Sequence, residues 1–368
     1  MGEVVVEFPQ ITLFKPSTPT AATATETAEA AMTPQFHPAL VNSPFDDPAV
    51  YVDFLFERRA LLFDLGDIHA LSARMILRLS HVFISHTHVD HFIGFDHLLR
   101  LFLGREKRLH LFGPPGFTVQ VEHRLASYTW NLVESYPTDF TVIATELHPD
   151  GRCISAEFHC RRRFAREGDW TELHCDGIIL DEETFRIRTA FLDHKIVSLA
   201  YALEEKGHVN IMKNRLQELG LPTGPWLAEL KRKIVRGEPD NTPFRARWLE
   251  AGGVVERDFT LGELRSRILQ VVPGQKIAYI TDAAYTPANA EKIVDLAAGA
   301  DYLFIEAEFL HDERERAMER SHLTARQAGL LARQAGVSRI IPSHVSPRYQ
   351  GKEEQVREEL ARAFAGEG

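Results

Sequence analysis

The chain has 368 residues, 44% of them hydrophobic, 10% aromatic and 26% charged, which is enough apolar mass for a substantial core and excludes disorder throughout. A formal charge of -10 excludes a uniformly basic nucleic-acid binder but leaves room for local basic patches. No run approaches the roughly 18–20 consecutive apolar residues of a membrane span, and no basic segment followed by an apolar one opens the chain, so we expect a soluble cytoplasmic protein without a membrane partner.

In chain order, VVVEFPQITLF (residues 4–14) predicts a strand, and STPTAATATETAEAAM (17–32) holds almost nothing able to offset backbone ordering. Residues 1–35 therefore read as a flexible N-terminal segment ahead of one domain over 36–368. Short apolar runs follow: VYVDFLF (50–56), ALLFDLG (60–66), HVFIS (81–85) and LHLFG (109–113), then KIAYITDA (276–283), DYLFIEAE (301–308) and SRIIPSH (338–344). Their length and Val, Ile, Leu and Phe content suit buried strands. Helical stretches lie between them at 289–299 and 324–336, the latter capped by Thr324, closed by Gly336 and apolar along Ala325, Ala328, Leu331, Ala332 and Ala335. Strands alternating with helices predict an α/β layered domain. Residues 205–270 differ, with charge clusters, Pro, Gly and only short helical patterns, and read as an insertion. Cys153, Cys160 and Cys175 form an odd set without a CxxC pair, so neither a disulfide framework nor a zinc knuckle is expected.

The strongest local signal is Ser85-His86-Thr87-His88-Val89-Asp90-His91, directly after the strand HVFIS. In an extended or tightly looped segment His86, His88 and Asp90 recur with period two while His91 turns aside, so one segment can feed two metal ions. Imidazole nitrogen and carboxylate oxygen suit Zn²⁺, with Mn or Fe as alternatives. Three further ligands stand at predicted strand ends: His194 in AFLDHKI, Asp282 in AYITDAAY and His344 in IIPSHVSPRY. Strand C-termini converge at one edge of such a core, so we expect His86, His88 and His194 on one ion, Asp90, His91 and His344 on the other, and Asp282 bridging.

These motifs resemble those of the metallo-β-lactamase superfamily and, within it, the ribonuclease Z family. LLFDLG (61–66), HTHVDH (86–91), FGPPGF (112–117), LDH (192–194), TDAA (281–284), IEAEF (305–309), SHLTARQA (321–328) and SHVSPRY (343–349) occur in that family's order. The stretch 218–238, with Gly224-Pro225, is similar to the family's flexible arm. The resemblance implies a four-layer αββα sandwich with an inserted arm, two divalent ions, endonucleolytic removal of the 3′ trailer from precursor tRNA, and a homodimer in which the arm holds the RNA. It assigns proton transfer to Asp90 and His322, with Glu306 orienting His322 and Asp64 orienting the HTHVDH loop. Ser346, Arg348 and Tyr349 follow His344 directly, so they should line the approach to the ions, Arg348 as a phosphate contact and Tyr349 as a stacking face, and Lys231, Arg232 and Lys233 form a basic cluster in the arm expected to contact RNA. Departures lie on the substrate side: VNSPFDDP (41–48) replaces a Gly-rich loop, Val89 replaces the usual Gly, and Gly66-Asp67-Ile68 replaces Gly-Glu-Gly. They keep open a rival substrate, a small phosphodiester, ester or lactone, and a noncatalytic RNA-binding role.

Overall fold

The computed structural model describes residues 5–6, 35–166, 168, 170–250, 252–272 and 274–367. Contacts divide the chain into two compact units: Met1–Ile179, Arg188–Ala202 and Ile277–Gly368 in the first, Leu180–Ile187 and Leu203–Lys276 in the second.

The first unit is built on two sheets. One runs in chain order through Phe36–Leu40, Val50–Phe54, Ala60–Phe63, Leu79–Phe83, Lys107–Gly113, Phe140–Leu147, Arg152–His159 and Thr171–His174. Its middle strands are parallel, and being buried on both faces they read as unbroken apolar runs rather than alternating ones. The other sheet runs in space as Val5–Val6, Arg339–Ser343, Tyr302–Glu306, Lys276–Ile280, Val197–Glu205, Phe185–Asp193 and Ile178–Asp181, the last three strands reaching into the second unit along the chain.

Helices cover the outer faces. Phe95, Leu98, Leu99 and Phe102 of Phe95–Phe102, with Phe117, Val121 and Leu125 of Phe117–Ala126, pack on Leu62, Val82, Leu109, Leu111 and Val142. On the second sheet Ile293 and Leu296 of Pro287–Ala297, the small-residue face of Ala325–Ala335, and Val356 and Leu360 of Glu353–Ala365 pack on Ala278, Ile280, Leu303, Ile305 and Ile340. The Ala-rich face predicted for 324–336 lets that helix lie close to the sheet; a Thr324–Gln327 capping box starts it and Gly336, at φ 63°, ends it. Between the sheets, Phe63 and Phe83 of one meet Tyr201 and Tyr279 of the other at ring-centroid distances of 5.5 to 5.9 Å. The layers are thus helix, sheet, sheet, helix, the αββα sandwich.

The second unit has its own core of Trp226, Leu227, Leu230, Ile234, Phe244, Ala246, Trp248, Leu261, Leu264 and Ile268. Helices Lys213–Glu218, Trp226–Val235 and Leu261–Ile268 accompany an antiparallel pair, His208–Ile211 with Leu269–Val272, and a hairpin, Pro243–Glu250 with Gly253–Thr260. The expectation of short helices alone missed this hairpin, whose alternation of Phe244, Ala246 and Trp248 inward is interleaved with Arg245 and Arg247.

One further expectation changes. Cys153 and Cys175 are joined, with Cα atoms 6.3 Å apart, while Cys160 is free and buried. The absence of a CxxC pair misled because the partners meet across antiparallel strands, where Cys153 is in register with Leu173 and the Cys175 amide bonds the Gly151 carbonyl. Of the strand expected at 4–14, Val5–Val6 is described and pairs in parallel with Arg339 and Ile340; the flexible segment expected at 17–32 lies outside the described residues.

Candidate metal centre

His86 follows the strand Leu79–Phe83, and His88 takes the N-cap position of the short helix Val89–Phe92, which carries Asp90 and His91. The loop lies flat because residue 66 is glycine: a Cβ there would stand 2.6 Å from the Asp90 carbonyl oxygen and from the Asp47 carbonyl carbon. Asp64, Asp282 and His344, each just past a strand's C-terminus, have φ of 56°, 46° and 48°. Left-handed backbone at three non-glycine residues, one leaving the first sheet and two leaving the second, costs energy, and such strain gathers where side chains must be aimed.

All seven predicted ligands meet. One group is His86, His88, His194 and Asp282 and another is Asp90, His91 and His344, the ligand atoms within each lying within 4.8 Å of one another. Asp282 joins them: its Oδ2 is 3.5 Å from His86 Nε2, 3.3 Å from His194 Nε2 and 3.5 Å from His91 Nε2, and its Oδ1 is 3.5 Å from His344 Nδ1. Asp90 Oδ2 is 3.2 Å from His344 Nε2 and 3.5 Å from His91 Nε2.

The arrangement fits divalent cations on its own chemistry. Among the described residues, His86 Nε2, His91 Nε2 and His344 Nδ1 are buried without a hydrogen-bond partner, a costly state for imidazole nitrogens unless something completes it. Burial, then the neighbouring His91, push His86 down to about 2, and burial also lowers His88, so both keep the neutral form that donates a lone pair. Burial alone would lower His91 and His344, but Asp282 and Asp64 raise the first, and Asp282, Asp90 and Glu308 the second. Burial alone would raise Asp90 and Asp282, but the facing imidazoles of His344 and His91 hold both carboxyls below their usual range.

The supporting residues expected from the sequence have defined partners. Asp64 is fully buried; its Oδ1 accepts from the Ser85 amide (2.6 Å), and its Oδ2 lies 2.7 Å from His91 Nδ1 and accepts from the Tyr279 hydroxyl (2.7 Å) and Ser85 Oγ (2.8 Å). Glu306 lies 2.8 Å from His322 Nδ1 through Oε2 and accepts the Ala283 amide through Oε1 at 2.6 Å. The His322 ring stands 4.8 Å from that of His194 and 5.5 Å from that of His344. Burial would lower its pKa, but Glu306 outweighs this and raises it.

The substrate-side expectations fare differently. Tyr349 offers no stacking face: it is buried in the core, its hydroxyl donating to Glu313 and accepting from the Leu310 amide. The 3-10 turn Pro347–Tyr349 rolls the ring inward. Arg348 is engaged by Glu313 at 2.6 Å and lies over the Phe309 ring at 5.7 Å, so the fork expected for phosphate already holds a carboxylate. Ser346 is buried, its amide bonded to the Glu308 carbonyl. In the second unit Pro225 caps Trp226–Val235 after Gly224, Lys231 is half-buried, Lys233 pairs with Glu238 at 2.9 Å and Arg232 is exposed. Sequence reasoning also passed over Glu308, whose Oε2 lies 3.3 Å from His344 Nδ1; its two-residue spacing from Glu306 at the same strand end was the available signal.

The chain is similar to known proteins. The beta-lactamase superfamily domain matches residues 253–345. Ribonuclease Z of Deinococcus radiodurans is 30% identical over 332 residues, covering 89% of this chain and 94% of the relative. Ribonuclease Z of Prochlorococcus marinus strain MIT 9313 is 33% identical over 298 residues, covering 78% and 77%. A crystal structure of human tRNase Z, short form, aligns at a TM-score of 0.47 with 18% identity over 82% of this chain and 86% of that one. On the sequence relatives, which extend over nearly the whole chain, this protein belongs to the ribonuclease Z family, metal-dependent hydrolases of the metallo-β-lactamase superfamily.

Proposed function

We propose that the protein removes the 3′ trailer of precursor tRNA as an endonuclease, using two divalent ions, with zinc favoured by the nitrogen-rich donor set. The observation that carries this reading is the shared carboxylate of Asp282, which faces three histidines through one oxygen and His344 through the other. His86, His88, His194 and Asp282 would hold one ion, and Asp90, His91, His344 and Asp282 the other. When bound, such a pair makes water nucleophilic near neutral pH and offsets charge on a phosphate oxygen.

The chain's own groups do the rest. Asp90, ionised and 40% exposed, accepts the proton of the attacking water. His322, its Nδ1 held by Glu306, keeps Nε2 for a proton to the departing 3′ oxygen. The exposed Arg232 and its neighbours Lys231 and Lys233 supply phosphate contacts from the second unit. A homodimer and a cytoplasmic location belong to the same reading; among the described residues, no helix is long and apolar enough to cross a membrane.

A smaller substrate is the second reading, and one feature favours it. Asp47, raised by burial and by the nearby Asp90, adds negative charge beside the centre, which opposes a polyanion. Parallel assays on precursor tRNA and bis(p-nitrophenyl) phosphate with defined Zn²⁺ or Mn²⁺ separate the two: hydrolysis of the small diester alone would refute the tRNA reading.

A further inference from the structure

Each of three ligand histidines has its Nδ1 turned to an oxygen of the protein. His91 Nδ1 lies 2.7 Å from the Asp64 carboxylate, His194 Nδ1 2.8 Å from the Ser321 carbonyl, and His86 Nδ1 3.1 Å from Ser85 Oγ. An oxygen that takes the Nδ1 proton fixes the tautomer and leaves the Nε2 lone pair for a cation. His344 Nδ1 differs: among the described residues it is buried without a formed hydrogen bond, and Glu308 is the carboxylate placed to complete it. The ring's Nε2 faces Asp90 Oδ2 at 3.2 Å, and its Nδ1 faces Glu308 Oε2 at 3.3 Å. Among the described residues the next carboxylate oxygen, Asp282 Oδ1, is farther from that nitrogen at 3.5 Å and also accepts from Thr281 Oγ1.

We infer that Glu308 is a positioning residue for the second ion: it takes the Nδ1 proton of His344 and so presents Nε2 to the position shared with Asp90 and His91. The inference rests on the two-ion reading above. The backbone supports the role. Strands Tyr302–Glu306 and Arg339–Ser343 are parallel neighbours, Glu306 in register with Ser343. Just beyond them the Ala307 amide bonds the Ser343 carbonyl and the Ser346 amide bonds the Glu308 carbonyl. Glu308 therefore grips the loop of His344 by main chain and faces its ring by side chain. At 16% exposure its carboxylate is shielded enough for that contact to count.

The test compares two variants that keep the side chain's length, Glu308→Gln, which retains an acceptor oxygen, and Glu308→Met, which does not. Ion-free wild-type and variant proteins are titrated with Zn²⁺ against a chromophoric chelator, with melting of the ion-free proteins as a control for folding. Glu308→Met should weaken one of the two ions by about 10–100-fold and leave the other unchanged, while Glu308→Gln stays within a few-fold of wild type. Wild-type affinity for both ions in Glu308→Met, or equal weakening in both variants, would overturn the role given to Glu308. Fewer than two ions in the wild type would instead overturn the two-ion reading beneath it.

Discussion

His322 is tied to Glu306 by a 2.8 Å contact between Nδ1 and Oε2, and Glu306, fully buried, is itself fixed by the Ala283 amide one residue past Asp282. His322 and Asp282 thus share a support. His322→Ala should lower the chemical rate by about 10²–10⁴-fold while keeping the wild-type ion content. Single-turnover rates and elemental analysis of the same preparation check this; an unchanged rate would remove His322 from the mechanism.

Asp282→Ala removes the one carboxylate common to both groups of ligands. Bound ions should fall from two per chain toward none, and turnover should be lost. Elemental analysis after dialysis reads the first effect. Retention of two ions would show that His86, His88 and His194, and separately Asp90, His91 and His344, suffice without the bridge.

The buried His81 supplies a pH test of stability away from the metal centre. Burial, then His110 and Arg59, push it down to about 3 from the ordinary 6.5, so the unfolded chain binds a proton that the folded one refuses. Its contribution is whole above pH 6.5 and is lost as pH falls from there toward about 3. Between pH 6.5 and 5 the loss from this group is about 2 kcal/mol. His81→Phe, stacked among Phe83, Phe112 and His110, should lessen the acid sensitivity of the denaturant midpoint by about that amount. Identical pH slopes in the two proteins would contradict it.

The legible parts of this molecule are those decided locally. Apolar runs such as ALLF and YLFIE are strands, the Thr324 to Gly336 stretch carries both its caps, and the close spacing of His86, His88, Asp90 and His91 announces a cation site. What escaped depends on where distant segments meet. Tyr349 reads as an exposed aromatic beside a ligand until the turn at Pro347 rolls it into the core, and Arg348 reads as free until Glu313 reaches it across 35 residues. Cys153 finds Cys175 through strand pairing that no spacing rule encodes. Charged Arg245 and Arg247 hid the alternation of Phe244, Ala246 and Trp248.

Removing residues 222–237 would strip Trp226, Leu227, Leu230 and Ile234 from the second unit's core, so charge is the better probe of that segment. Arg232→Glu, at an exposed position, should weaken precursor tRNA binding several-fold and flatten its salt dependence, leaving hydrolysis of bis(p-nitrophenyl) phosphate unchanged. Equal losses on both substrates would make the effect structural.

The seven ligands, Asp90 among them, together with His322 are proposed to cut an RNA backbone at one place. Precursor tRNA with a labelled trailer, incubated with zinc-loaded protein and resolved to the nucleotide, tests it most directly. We expect a single cut at the base of the trailer that leaves a 3′ hydroxyl on the tRNA and depends on Asp282. An intact precursor under conditions where bis(p-nitrophenyl) phosphate is hydrolysed would contradict it.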